Sequence, residues 1–194
     1  MKLVAAIGLG FLLSLQPVLA AAAEPGEQVR QTVDNLLANL KDPALAGESN
    51  KNERRQKLKQ LIYQRFDFTE MAKRALGSEW RRRSPAEQKE FVQLFSDLLE
   101  RTYLGQIESY SHEKVRYLEQ RADGPYAQVA TRIVDSKGQE YAVDYRLHNV
   151  NGDWKVYDVI IEDVSLVNNY RSQFSRVLTK SSFKELLEAM KQAS

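Results

Sequence analysis

His112 and His148 are the only histidines in this 194-residue chain, and it has no cysteine. A nucleophile needs an adjacent base, most often histidine, so covalent catalysis has few places to reside. His112 stands between a helical and a strand-like stretch, beside Ser111 and Glu113, where a solvated loop histidine is expected. His148 falls on the polar side of an alternating run, again a surface position. Asp158, Glu162 and Asp163 form the densest acidic group. Alternation puts the first two on a polar strand face and the third at its end, with too few oxygens in one loop for a hard cation. Few histidines and no cysteine leave little to bind softer metals. No G-x-S-x-G elbow, P-loop, H-E-x-x-H helix or Rossmann glycine pattern occurs. Asp144 is the best acid–base candidate, yet alternation sets it opposite Tyr141, Val143 and Tyr145. Its presence inside an apolar cavity would favour an isomerase- or dehydratase-like enzyme of the cone-shaped α+β kind.

Charge points the same way. Lys and Arg number 28 against 26 Asp and Glu, a net charge of +2. A nucleic-acid binder would carry a strongly basic face, so no nucleic-acid partner is expected. Arg81-Arg82-Arg83 after Trp80 has the composition that meets lipid phosphates at a membrane interface, although such a run is more often a solvated face. Arg54-Arg55 lies within the charged stretch Lys51–Lys59, which Glu53 interrupts, and carries no more weight.

The elements that must position these residues are legible in the spacing. Val29, Val33, Leu36, Leu37 and Leu40 repeat with helical period until Pro43 and Gly47. Leu58, Leu61, Ile62 and Phe66 share a face of a second helix. Asp67 caps a short third one that ends at Gly77. Ser84-Pro85-Ala86-Glu87 is a capping box with proline in the first turn, opening a long helix to about Ser109. Beyond residue 112 the period becomes alternating. Val115 and Tyr117 begin a strand; Ala127, Val129, Thr131 and Ile133 share a face of the next; Tyr141, Val143, Tyr145 and Leu147 share a face of a third. Tyr157, Val159 and Ile161 mark the fourth. Asp123-Gly124-Pro125, Ser136-Lys137-Gly138 and Asn151-Gly152-Asp153 are turns. Helical spacing returns over 168–178 and 182–191. The order predicts an α+β domain: a curved, four-stranded antiparallel meander covered on one face by N-terminal and C-terminal helices. Such a cone can enclose an apolar pocket, though periodicity leaves open whether the interior is hollow or filled.

Met1–Ala23 has the form of an export leader. Lys2 precedes a short apolar run, Leu3–Leu15, then Pro17 and the small residues Ala20–Ala23, which offer A-x-A cleavage sites. The run is shorter than the roughly 20 apolar residues of a spanning helix. The expected mature product is one domain over 24–194.

Three segments, taken together, resemble a known family. They are Arg65-Phe66-Asp67-Phe68 with Met71-Ala72, Ala75-Leu76-Gly77 and Trp80; the helix with Phe91, Leu98-Leu99 and Thr102-Tyr103; and Asp158–Val167 continuing through Asn169-Tyr170-Arg171 to Gln173-Phe174. In this order and spacing the chain is similar to the MlaC or toluene-tolerance family of periplasmic phospholipid carriers. The resemblance implies a monomeric, non-enzymatic periplasmic protein with no cofactor beyond its phospholipid cargo. It also implies exchange with an inner-membrane ABC transporter complex and an outer-membrane lipoprotein–porin complex, with the acyl chains in a deep apolar pocket. The residues expected to line that pocket are Val129, Ile133, Val143, Tyr145, Val159 and Ile161 from the sheet. Leu98, Leu99 and Tyr103 would form the helical wall. Phe68 and Met71 would stand near the mouth, and Tyr170 and Phe174 would complete it from the C-terminal helix.

Overall fold

A computed structural model describes residues 24–110 and 113–192; Met1–Ala23, the stretch expected to be a leader, and His112 lie outside the described residues. Helix α1, Pro25–Lys41, starts with proline in its first turn, where the missing N–H costs nothing, and ends before Pro43. Two short 3-10 turns, Pro43–Leu45 and Glu48–Asn50, lead into α2, Lys51–Arg65. Helix α3, Phe68–Leu76, is capped by Asp67, whose carboxylate accepts the Glu70 N–H at 2.8 Å. It ends at Gly77, whose φ of +64° suits a residue without a Cβ. A 3-10 turn, Gly77–Arg82, then reaches the predicted capping box. Glu87 N–H donates to Ser84 Oγ at 3.3 Å and Ser84 N–H to Glu87 Oε2 at 2.7 Å, opening α4, Pro85–Ser109.

The sheet is antiparallel with sequential order: β1 Lys114–Asp123, β2 Tyr126–Val134, β3 Glu140–Val150, β4 Asp153–Ile161 and β5 Val164–Ser165. The predicted meander is present with one strand more. That fifth strand has only two residues, and its turn uses Glu162 and Asp163 at φ +47° and +64°. Non-glycine residues in the left-handed region give no turn signal of the Asn-Gly kind, so spacing alone misses it. Register shifts between Tyr117 and Gln120 and between Arg146 and Leu147 interrupt the ladders, and such irregularities bend strands. Helices α5, Leu166–Leu178, and α6, Phe183–Gln192, close the chain.

Two separate cores result. One is helical: Phe91 and Phe95 of α4, both fully buried, meet Tyr170 and Phe174 of α5 and Phe183 of α6, with Met71 and Ala75 of α3 beside them. The other joins the sheet to the start of α1: Val29 packs with Ala127, Val129, Leu147, Trp154 and Val156.

The face of the sheet opposite those inward residues is less solvated than alternation suggests. His148 is half-buried and its Nε2 lies 3.0 Å from Asp67 Oδ2, so the start of α3 covers the position expected to be surface. Asp158 is buried beneath the start of α5. It accepts the Val167 N–H at 3.0 Å and the Ser165 hydroxyl at 2.7 Å, and pairs with Arg146 at 3.3 Å. Its role is to anchor a helix start, which single-strand alternation cannot reveal.

Candidate functional site

Between the two cores lies a cavity of about 250 Å³ with an almost wholly apolar lining. Cross-strand register builds its floor. Val143 opposes Ile161, and Tyr145 opposes Val159, so these four side chains emerge on one face, joined by Ile133 and Val156. Thr131, paired with Val143, is fully buried; its hydroxyl donates to the Val143 carbonyl at 2.5 Å. Helix α1 forms one wall through Val33, Leu36, Leu37 and Leu40. The second half of α4 supplies Leu99, Tyr103, Leu104 and Ile107, and α2 supplies Ile62 and Tyr63. Phe68 and Met71 of α3 join the lining, as does Leu166 at the start of α5.

Of the residues singled out from sequence, Phe68, Met71, Leu99, Tyr103, Ile133, Val143, Tyr145, Val159 and Ile161 come together at this cavity. Leu98, Val129, Tyr170 and Phe174 do not line it. Leu98 lies one residue, hence roughly 100° of helix, from Leu99 and turns into the helical core. Tyr170 and Phe174 pack edge-on against Phe95, with ring centroids 5.2 and 5.6 Å away. Val129 lies in the sheet core among Val29 and Leu147. The C-terminal helices therefore brace α4, and α1, α2 and α4 form the walls. The apolar face of α1 was plain in the spacing, but nothing in a helical period says whether that face meets protein or space.

Polar atoms at the cavity are mostly engaged with one another. Lys59 Nζ lies 2.8 Å from Glu100 Oε2, and hydrogen bonding to that carboxylate raises the lysine pKa. Arg65 is a hub: its guanidinium donates to Gln28 Oε1 at 2.6 Å, Trp154 O at 2.6 Å, Asp153 Oδ1 at 2.7 Å and Thr32 Oγ1 at 3.0 Å. Burial pushes the phenols of Tyr103 and Tyr145 up to about 12, so both stay neutral and form part of the uncharged wall. Asp144 lies elsewhere: its Oδ2 accepts from Gln128 at 3.1 Å, and it does not line the cavity. Such a lining is suited to holding a flexible apolar body by burial.

An α+β frame around a greasy hollow, with the few charged side chains of its lining paired at the rim, as in Lys59–Glu100, defines a binding protein for apolar ligands. A family profile described as MlaC protein matches residues 30–192, and the chain belongs to that family. It is 28% identical over 177 residues to the toluene tolerance protein ttg2D of Pseudomonas putida, covering 90% of this chain and 82% of that one. Identity to the intermembrane phospholipid transport system binding protein MlaC of Haemophilus influenzae is 21% over 179 residues, 90% of this chain and 84% of the relative. Its fold matches a phospholipid-binding protein from Ralstonia solanacearum, solved in complex with a phospholipid. The TM-score is 0.76 at 28% identity, over 88% of this chain and 97% of the other. Among the described residues, no helix is long and apolar enough to cross a membrane.

Proposed function

We propose that this protein binds phospholipid by its acyl chains in the cavity between sheet and helices and carries it, without chemistry, through the periplasm. The single observation that supports this most is the hollow itself, placed between two cores that are otherwise densely packed. Each buried methylene contributes roughly 0.8 kcal/mol, so long chains are retained without an ion pair to the head group. At about 250 Å³ the cavity is near the lower end of ligand pockets, so a two-tailed lipid needs the walls to part. Release then depends on a receiving partner that favours the open form. In this reading Met1–Ala23 is an export leader removed from the mature domain. Its partners are an inner-membrane ABC transporter complex and an outer-membrane lipoprotein–porin complex.

Native mass spectrometry of the exported, purified protein tests the proposal. The expected spectrum shows the monomer with one phospholipid, lost on delipidation and regained from phospholipid vesicles. A protein that is lipid-free as isolated and takes up none from vesicles would overturn it.

A further inference from the structure

On the far side of the molecule, α3, the 3-10 turn after it, α5 and the outer face of β3–β4 enclose a cleft of about 620 Å³. Lys73, Arg74, Arg81, Arg146 and Arg171 line it, against the carboxylates of Glu70 and Asp158. Both carboxylates are already committed. Glu70 binds Lys73 at 3.1 Å and Arg74 at 2.8 Å, and Asp158 is shared among Arg146, the Ser165 hydroxyl and the Val167 N–H. Arg74 also lies over the Tyr157 ring, 4.0 Å from its centroid. Arg81 and Arg171 are exposed, and among the described residues neither meets a carboxylate. Gly77 gives Arg171 its room: a Cβ there would come within 3.1 Å of the Arg171 Nε. The basic run seen in the sequence is thereby divided. Arg82 and Arg83 pair with Glu79 at 2.6 and 3.2 Å, and only Arg81 is left for the cleft.

We propose that this cleft is a docking site for an acidic segment of a protein partner, separate from the lipid cavity. The two unpaired guanidiniums favour carboxylates, which they can bind bidentately. Shape favours a chain segment over a bilayer. Tyr157 and Arg146 line the cleft from the sheet, between α3 and α5, so an inserted chain segment can touch side chains of three elements at once. No residue of the cleft lines the cavity, so docking there leaves the cargo site unobstructed.

The experiment titrates fluorescent hexaglutamate, with hexaglutamine as control, against the exported protein at about 0.05 M and about 0.5 M salt. Hexaglutamate is expected to bind, and more weakly at high salt. The double variant Arg81→Glu/Arg171→Glu should lose about tenfold or more in affinity, whereas its co-purified ligand content stays at the wild-type level. That unchanged content also reports an intact fold, and keeps the outcome distinct from a failure of the carrier reading. Equal binding of hexaglutamate by wild type and variant, or no binding by wild type, overturns the proposal. Sedimentation with phosphatidylglycerol vesicles that needs these arginines, without peptide binding, overturns it in favour of a membrane contact.

Discussion

Lys59 on α2 and Glu100 on α4 meet at 2.8 Å, and both border the apolar cavity. The pair ties together two of the three helices that wall the hollow, with 31% and 27% of the side chains exposed. The lysine stem lies along apolar surface while its charge finds a partner at the rim. If cargo is held by its tails, this pair is dispensable for retention. Lys59→Ala is expected to cost about 1 kcal/mol or less in stability and to leave co-purified phospholipid unchanged by mass spectrometry. Loss of lipid in that variant would mean that the ammonium itself grips the head group.

The floor makes a graded prediction. Val143 is 8% exposed and Ile161, opposite it, is 39% exposed. A carboxylate at Val143 has no water to retreat to, so Val143→Asp should abolish lipid retention in any folded product. Ile161→Asp stands at the rim and should weaken retention only in part. Wild-type retention in both variants, measured as lipid per protein, would mean that the tails do not lie on β3 and β4.

Two apolar sets on different helices separate packing from binding. Leu36, Leu37 and Leu40 of α1 are half-buried and face the cavity, outside both cores. Phe91 is fully buried among Phe95, Phe174 and Phe183. Replacing the three leucines by serine should eliminate lipid and change the urea midpoint of delipidated protein little. Phe91→Ala should instead cost about 3–5 kcal/mol of stability, because it leaves a void in a close-packed cluster.

This contrast also marks how far sequence reading reaches. The helix starts at Asp67 and Ser84 and the inward Val143, Tyr145 and Leu147 of β3 were legible, because capping and alternation are local rules; Tyr141, at the end of the strand, is exposed. The division of α4 was legible only in part: Leu99 and Tyr103, expected at the wall, line the cavity, whereas Leu98 turns into the core. Its apolar face is continuous in sequence, yet Phe91 and Phe95 enter solid core while Tyr103 and Ile107 overhang space. Which half meets a neighbour depends on where α5 and α6 dock, a tertiary matter. Likewise, Asp158 reads as one more polar strand residue until α5 is placed on it.

Arg65 should behave as a structural clamp with a geometric requirement. Its one guanidinium joins α1 through Gln28 and Thr32 to β4 through Asp153 and Trp154, and its side chain is 14% exposed. Arg65→Met removes four hydrogen bonds at once, although Gln28 Oε1 keeps the Trp154 N–H and Asp153 keeps Lys155, and is expected to cost about 1–3 kcal/mol. Arg65→Lys should recover little, since one ammonium cannot reproduce the planar fork. Full recovery by lysine in chemical denaturation would show that charge alone matters there.

Glu108 gives the acid limb of stability a defined source. On α4 it receives the Arg55 guanidinium of α2 at 2.7 Å and stands 3.7 Å from Arg54, with only 10% of its side chain exposed. The Arg55 hydrogen bond holds its carboxyl below the usual glutamate range, outweighing the opposing effect of burial. A carboxyl depressed by folding stabilises the native state above its unfolded pKa of about 4.3, and that contribution is lost as pH falls through the lower folded value. Glu108→Gln should therefore be less stable than wild type by about 1–3 kcal/mol at neutral pH. As pH drops through and below the normal carboxylate range the gap should close, because the wild-type group becomes neutral as well. Urea titrations across that range measure it. A difference that is constant with pH would mean that the contact acts through shape and packing.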